Sequence, residues 1–249
     1  MSVLAKSARI LDLVADSEGD RTLTSIASAL GQPRSSIHRL LSELVELGLL
    51  LRVGANAYAP GPRLARWGQA AEGVDQIIRI SEPTMIRLRD AIGESVHLYV
   101  RQRDARVCVA AVDGTYELRH FTEVGKPMPL SVGASGKLLL AFAGSAIQRQ
   151  ELRRVAAKPL TSRALSLEDL ETQLEQIAAT DWSTSFGERE EGLAAAAVPV
   201  RNHSAEVVAA LSVSGPTARL TADQFDAIAP QLKEAGAQIS RTLGWAPTT

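Results

Sequence analysis

The stretch Leu23-Thr24-Ser25-Ile26-Ala27-Ser28-Ala29-Leu30-Gly31-Gln32-Pro33-Arg34-Ser35-Ser36-Ile37-His38-Arg39-Leu40-Leu41-Ser42-Glu43-Leu44 reads as two short helices around a tight turn. Leu23, Ile26, Ala27 and Leu30 recur at the period of one helix face. Gly31-Gln32 breaks that helix, and Pro33 sits where the next would start, because its missing N–H costs nothing in a first turn. Ile37, Leu40, Leu41, Leu44 and Leu47 predict one buried face of the second helix, with Gly48 just past its end. The opposite face carries Arg34, Ser35, His38, Arg39 and Ser42, and no acid precedes Glu43. A helix with a packed back and a basic, short-polar front suits the major groove of duplex DNA.

The residues that follow support this. Leu49 to Arg52 and Ala57 to Pro60 flank Gly54-Ala55-Asn56, which predicts a hairpin with turn residues at its tip. From Pro33 to Arg66 five Arg face only Glu43 and Glu46, so this segment is basic while the whole chain has a formal net charge of −1. The charge pattern points to a local nucleic-acid patch rather than a coat protein. Arg34, at the helix entry, is expected to meet phosphate. Ser35, Ser36, His38 and Arg39 are placed to reach base edges, and Arg52 and Asn56 on the hairpin to contact phosphates.

With 45% apolar and 22% charged residues in 249, the composition is that of an ordinary globular chain of one or two domains. Cys108 stands alone, which excludes a disulfide within the chain or a Cys-rich zinc site. Met1 to Leu13 does not read as a secretory signal, and no apolar run reaches the roughly 18 residues of a spanning helix. A cytoplasmic protein with no membrane partner is expected.

Ahead of the two helices, Val3 to Asp16 predicts another, with Leu4, Ala8, Leu11 and Val14 inward and Ser17 to Asp20 as a polar turn. After the hairpin, Arg63 to Glu72 predicts a connecting helix with Leu64, Trp67 and Ala71 on one face. Val74 to Ala91 predicts a further helix with a kink or restart at Pro83. From Glu94 the period changes to two. Ser95–Val100, Arg106–Val112 and Glu117–Glu123 are candidate strands, with a loop over Gly125–Leu130. Helices follow at Ser135–Phe142, Ile147–Val155 and Ser166–Ala179. Strands return at Trp182–Glu188, Leu193–Arg201 and Glu206–Ser214. Thr221 with Gln224 forms a capping box for a last helix, kinked at Pro230. The fold class is α+β, built on an antiparallel sheet.

Taken in order, these blocks resemble the IclR family of bacterial transcriptional regulators. The resemblance is carried by Pro33 to Leu41, Gly61-Pro62-Arg63-Leu64, Val124 to Leu130, Gly133 to Ala141, Gly187 to Gly192, Ala197 to Val200 and Ala210 to Pro216. More narrowly, Leu98–Ala111 and Trp182–Pro199 resemble actinobacterial members associated with amino-acid biosynthesis genes. The resemblance implies a winged helix-turn-helix over residues 1–62, a linker helix over 63–73 and a GAF-like effector-binding domain over 74–249. It also implies a homodimer, or a homotetramer paired through the ligand domains, on a near-palindromic double-stranded operator.

The effector implied is a small organic acid or amino acid in a pocket over the sheet. Its carboxylate is expected on the backbone N–H groups of Gly133 and Ala134 ahead of a helix start at Ser135. Ser212 and Ser214 lie two apart on one strand and face the same way. Ser185 and Ala195 match positions that supply polar pocket groups elsewhere in the family; Ala195 cannot, which makes this pocket less polar. A branched-chain amino acid, its keto-acid precursor and an aromatic catabolite all remain open. Glu188 and Glu190 read as capping a solvated loop, with capture of an ammonium group as the alternative.

No enzyme is expected. The histidines His38, His97, His120 and His203 have no metal-ligand spacing, and no cofactor is implied. Cys108 reads as core. Gly133-Ala134-Ser135-Gly136-Lys137 fails as a phosphate loop because Leu138 stands where Ser or Thr would hold magnesium, and Lys137 spoils the G-x-S-x-G elbow. His97 and Tyr99, on one strand face, read as a satisfied core pair, with the lining of a pocket as the alternative. The competing hypothesis is a metabolite-binding or catalytic domain whose N-terminal helices serve only assembly.

Overall fold

The computed structural model describes residues 2–16, 21–54, 56–71, 73–155 and 165–246, without the side chains of 16, 68–71 and 155. The chain divides into two compact units, Met1–Gly73 and Val74–Thr249. Among the described residues no helix is long and apolar enough to cross a membrane.

The first unit contains α1 (Val3–Asp16), α2 (Leu23–Leu30), α3 (Arg34–Glu46), a hairpin of β1 (Leu50–Val53) and β2 (Ala57–Pro60), and α4 (Pro62–Ala71). Thr22 caps α2 through a reciprocal pair of bonds with Ser25, and Gly31 ends it at φ 59°. Helix α3 ends in paired bonds from Gly48 N–H to Val45 O and from Leu49 N–H to Leu44 O. The positive φ of 69° that this closure needs is easy only for glycine. Ile10, Val14, Ile26, Ala27, Ile37, Leu40, Leu41, Leu44, Leu49, Leu50 and Tyr58 form one core.

Three expected core positions lie elsewhere. Leu4 and Ala8 are exposed, and α1 turns Ile10 inward beside the expected Val14, one helical turn apart. Leu47 is 52% exposed because the helix stops at Glu46, and the reversing chain sends Leu49 into the core in its place. The turn expected at Ser17–Asp20, and also Ala55 and Glu72, lie outside the described residues.

The second unit is a three-layer α+β arrangement. Its sheet has strand order β5-β4-β3-β8-β7-β6, antiparallel at every pairing, with β3 (Ser95–Gln102), β4 (Ala105–Val112), β5 (Pro127–Pro129), β6 (Ser183–Phe186), β7 (Leu193–Arg201) and β8 (Val207–Pro216). On one face, Val96, Leu98, Val100, Val198, Leu211 and Val213 pack against α5 (Val74–Ile92) and α9 (Ala222–Thr242), which contribute Met85, Leu88, Phe225, Leu232 and Ile239. On the other face, Tyr99, Cys108, Ala197 and Ala210 meet α6 (Ala134–Ala141) and α8 (Leu167–Thr180). Helix α7 (Ser145–Val155) connects these two in sequence. Ser166 caps α8, with Glu168 and Asp169 in its first turn.

Three sequence expectations change here. Glu117–Glu123 is not a strand; the chain there is tied down from its sides, Ser95 Oγ donating to His120 O and Arg219 to Leu118 O. The third strand on that edge is β5, in the segment expected as a loop, where Pro127 and Pro129 sit on an edge strand that tolerates missing donors. Helix α5 is unbroken at Pro83, so no restart occurs.

Because Leu41 is fully buried at the centre of the first unit's core, Leu41→Ala should cost about 2–5 kcal/mol of stability. Urea denaturation checks this: the lowest-stability transition should move to lower urea.

Candidate functional site: a helix face and a cationic cavity

In the first unit the outward face of α3 carries the side chains expected there. Arg34, Ser35, His38 and Arg39 are exposed and Ser36 is half-buried. No side chain caps the start of α3 and no acid lies in its first turn, which leaves the positive end of the helix open to an anion. Arg39 Nη1 lies 3.5 Å from Glu43 Oε1, with both side chains largely exposed. Such a pair is weak and leaves the guanidinium available. Ser42 turns back, its hydroxyl donating to His38 O at 3.0 Å. Arg52 on β1 and Asn56 at the hairpin tip are both exposed. Lower down, Arg63 donates to Leu47 O and stacks on Trp67, with 5.2 Å from its Cζ to the ring centre.

In the second unit the sheet register assembles a cavity. Ser95 stands opposite Ser214, Ser214 opposite Ala195, and Ala195 opposite Ser185, so a single row of small side chains crosses β3, β8, β7 and β6. The next row runs His97, Ser212, Ala197, Ser183. Since alternate residues share a face, both rows look toward α6. The start of that helix, Gly133, Ala134 and Ser135, closes over them and forms a small cavity with them. Ser185, Ala195, Ser212 and Ser214 lie on the same wall, so all seven sequence-expected effector residues line one cavity.

Five further residues complete the lining: Tyr99, Arg106, His120, Arg189 and Leu193. Arg106 on β4 is 2% exposed. Its Nη1 donates to Val132 O and its Cζ lies 5.5 Å from the Tyr99 ring centre. Burial lowers its pKa to about 10, which leaves it charged at neutral pH. Gly133 and Gly136 make room for this guanidinium: a Cβ on Gly133 would stand 3.0 Å from Arg106 Nη2, and one on Gly136 would meet Nη1 and stand 2.7 Å from Leu130 O.

Below the cavity, Lys137 and Glu188 form a buried ion pair. Lys137 Nζ also donates to Gln173 Oε1 at 2.6 Å, and Glu188 Oε2 accepts from Gly133 N–H at 3.0 Å. This overturns two readings. Glu188 does not cap a solvated loop; it captures an ammonium group, but the one on Lys137. The Gly133 N–H expected to receive an effector carboxylate is already occupied by an internal one. Glu190 remains exposed.

A relay of side chains crosses the cavity floor. Arg189 Nη2 donates to His120 Nε2 at 2.7 Å, since a guanidinium has no lone pair to offer. His120 therefore carries its proton on Nδ1 and donates to Ser214 Oγ at 2.8 Å. Ser214 Oγ in turn pairs with His97 Nδ1 at 3.2 Å. His97 Nε2 is buried with no partner among the described residues. His97 is thus not the satisfied core histidine expected. Burial first, then Arg189, pushes its pKa down to about 4. Burial, with His97 and then Arg189 and Arg106 beside it, pushes that of His120 down to about 3. Tyr99 bonds Thr122 through its hydroxyl. Cys108 is fully buried and burial raises its thiol to about 11, so it stays protonated as the core reading expects.

This geometry, an exposed basic helix face in one unit and a polar cavity over a sheet in the other, has counterparts among known proteins. Residues 3–54 match the IclR helix-turn-helix domain, and residues 69–241 match the bacterial transcriptional regulator IclR C-terminal domain. The chain belongs to the IclR family. It is similar to the HTH-type transcriptional regulator KipR of Bacillus subtilis, at 30% identity over 90% of each chain. It is also similar to the probable transcriptional regulator SauR of Cupriavidus necator, at 32% identity over 94% of each. The crystal structure of the Agrobacterium tumefaciens repressor BlcR superposes with a TM-score of 0.78, at 27% identity over 98% of each chain. As an IclR-family member the protein is a transcriptional regulator with a DNA-binding helix-turn-helix and a C-terminal effector-binding domain, not an enzyme.

Sequence reasoning missed Arg106, Arg189, His120 and the Lys137–Glu188 pair of this IclR-family cavity. Only Lys137 gave a usable signal: a lone cation inside Ala134–Ala141, an otherwise small and apolar helix, requires an acid elsewhere in the chain.

Lys137→Met should cost about 3–5 kcal/mol, because Glu188 is left buried without its counter-ion. Lys137→Met with Glu188→Gln should recover most of that loss in urea denaturation. The histidines set the acid response. Their folded-state pKa values lie below the ordinary 6.5, so the unfolded chain takes up protons that the folded one refuses. The stability they contribute is complete above pH 6.5 and declines as pH falls toward 4. Thermal unfolding of His97→Asn between these limits should show a shallower acid dependence than the wild type.

Proposed function

We propose that this IclR-family regulator reads a near-palindromic duplex operator as a homodimer, or a homotetramer paired through residues 74–249. In this reading, residues 1–62 are the DNA-binding domain and 63–73 the linker helix. Arg34 meets phosphate at the helix entry. Ser35, Ser36, His38 and Arg39 approach base edges, and Arg52 and Asn56 contact flanking phosphates. A two-fold dimer sets the half-sites about one helical turn (~34–36 Å) apart, or a multiple of that. The observation that carries the reading is the exposed, acid-poor start of α3, backed by a core that leaves Arg34, Ser35, His38 and Arg39 no packing role.

The effector is a small organic acid or amino acid held among Gly133, Ala134, Ser135, Ser185, Ala195, Ser212 and Ser214. Its binding changes operator affinity by about 1–3 kcal/mol, and operator DNA changes effector affinity by the same factor. Relatives are named for both facts of regulation and its sign, as in the transcriptional repressor IclR of Escherichia coli, 25% identical over 97% of this chain.

Mobility shifts with duplexes from the region upstream of the chain's own gene test the DNA reading. Arg39→Ala should lose about 1–3 kcal/mol of discrimination at one operator position, with non-specific binding nearly kept. Arg52→Ala should weaken all duplexes alike and lower the salt slope by about one. Arg39→Ala with unchanged affinity and specificity would remove the groove-reading assignment.

A further inference from the structure

Among the described residues, the cavity holds more positive charge than buried carboxylates neutralise. Lys137 and Glu188 cancel each other, and their remaining hydrogen bonds are satisfied by Gln173 and Gly133. Arg106 feels Glu188 only at a distance and makes no ion pair with a carboxylate among the described residues. Among the described residues its hydrogen-bond partner is the neutral carbonyl of Val132, and its buried Nε has none. Arg189 reaches the same cavity from the loop after β6, where it donates to neutral His120 and to Met128 Sδ at 3.2 Å. Among the described residues it pairs with the carboxylate of Glu190, 3.5 Å away and 68% exposed, so water screens the pair. A desolvated guanidinium such as that of Arg106 is costly without an anion, and the partly exposed Arg189 adds a second positive charge to the same cavity.

We propose that the cavity takes a small dicarboxylate, with one carboxylate on Arg106 and the other on Arg189. This rests on the effector-binding reading above and narrows it to the charge of the ligand. Guanidinium forks match carboxylates in geometry as well as charge. Leu193, Ala134 and Ala195 provide the apolar contact for the carbon skeleton between the two acids. A monoacid leaves one guanidinium without an anion. A zwitterionic amino acid adds an ammonium group beside two cations, so both classes leave the charge excess uncompensated. The lining side chains leave little free space, which favours a short chain.

The test is isothermal titration of the full-length protein, at fixed ionic strength, with malonate, succinate, methylsuccinate and glutarate. Propionate, butyrate and valerate are run beside them. At least one dicarboxylate should bind about tenfold or more tighter than the monoacid of matching length, and Arg189→Gln should remove about tenfold or more of that advantage. Arg106→Gln should do the same. Because Arg106 is buried and its variant can fail to fold, partly exposed Arg189 provides the independent check, with circular dichroism confirming its fold. Monoacids binding as tightly as diacids, or undiminished diacid affinity in Arg189→Gln, overturns the proposal. If every dicarboxylate fails at millimolar concentration while a monoacid or amino acid binds and alters operator affinity, the dianion assignment falls and the effector reading survives. Loss of response to all ligand classes defeats both.

Discussion

The buried pair of Lys137 and Glu188 is the constraint on which the effector domain's cavity depends. It joins the first turns of α6 to the loop after β6, segments some fifty residues apart that no sheet pairing connects. Burying two charges is favourable only when each finds its counter-ion and its remaining hydrogen bonds. Here Glu188 accepts from both Lys137 and the Gly133 N–H, while Lys137 reaches across to Gln173 on α8. Three segments are thereby fixed around one point, and the next residue along, Arg189, is held over the cavity. The pair stabilises position more than it stabilises the fold, because an apolar pair of similar volume would pack as well without specifying where the loop lies.

That arrangement explains why α6 is built from small residues at its start. Gly133 takes a positive φ of 76° and Gly136 has no space for a side chain, because the Arg106 guanidinium and the Leu130 carbonyl already fill it. Glycines here do not loosen the helix. They allow a charged group to lie flat against its backbone, with the Tyr99 ring on another side. The resulting cavity is polar on its sheet wall and cationic at Arg106 and Arg189, and its histidines stay neutral first because burial disfavours the charged form and then because protonation would add charge next to those guanidiniums.

Much of the fold was legible because it obeys simple periods. The 3.6-residue stripe of Ile37, Leu40, Leu41 and Leu44 marked α3 correctly, and the alternation of β3 and β8 put Ser212 and Ser214 on the same face. Boundaries failed where a local rule met a tertiary one. Leu47 continues the apolar stripe but lies past the helix end, and Glu117–Glu123 has strand-like composition yet is tied down by Ser95 and Arg219 instead of pairing. The site divided in the same way. Residues on regular strands or at a helix start were found by spacing, and the family resemblance named their roles. Arg106 and Arg189 gave no such mark. An arginine in a strand reads as solvent-facing, and only tertiary closure makes it a buried charge.

The same alternation ties the cavity to the opposite layer of the sheet. On β3, His97 and Tyr99 face the cavity side while Val96, Leu98 and Val100 face α5 and α9. On β8, Ser212 and Ser214 likewise alternate with Leu211 and Val213. Neither strand can shift toward a ligand without carrying its other set of side chains along, because close-packed interiors leave no slack to absorb the movement. Met85 and Leu88 of α5 lie directly on that second set, and α5 begins at Val74, three residues after the end of α4 at Ala71. The chain therefore places the helix that follows the DNA-binding unit against the back of the strands whose fronts form the cavity.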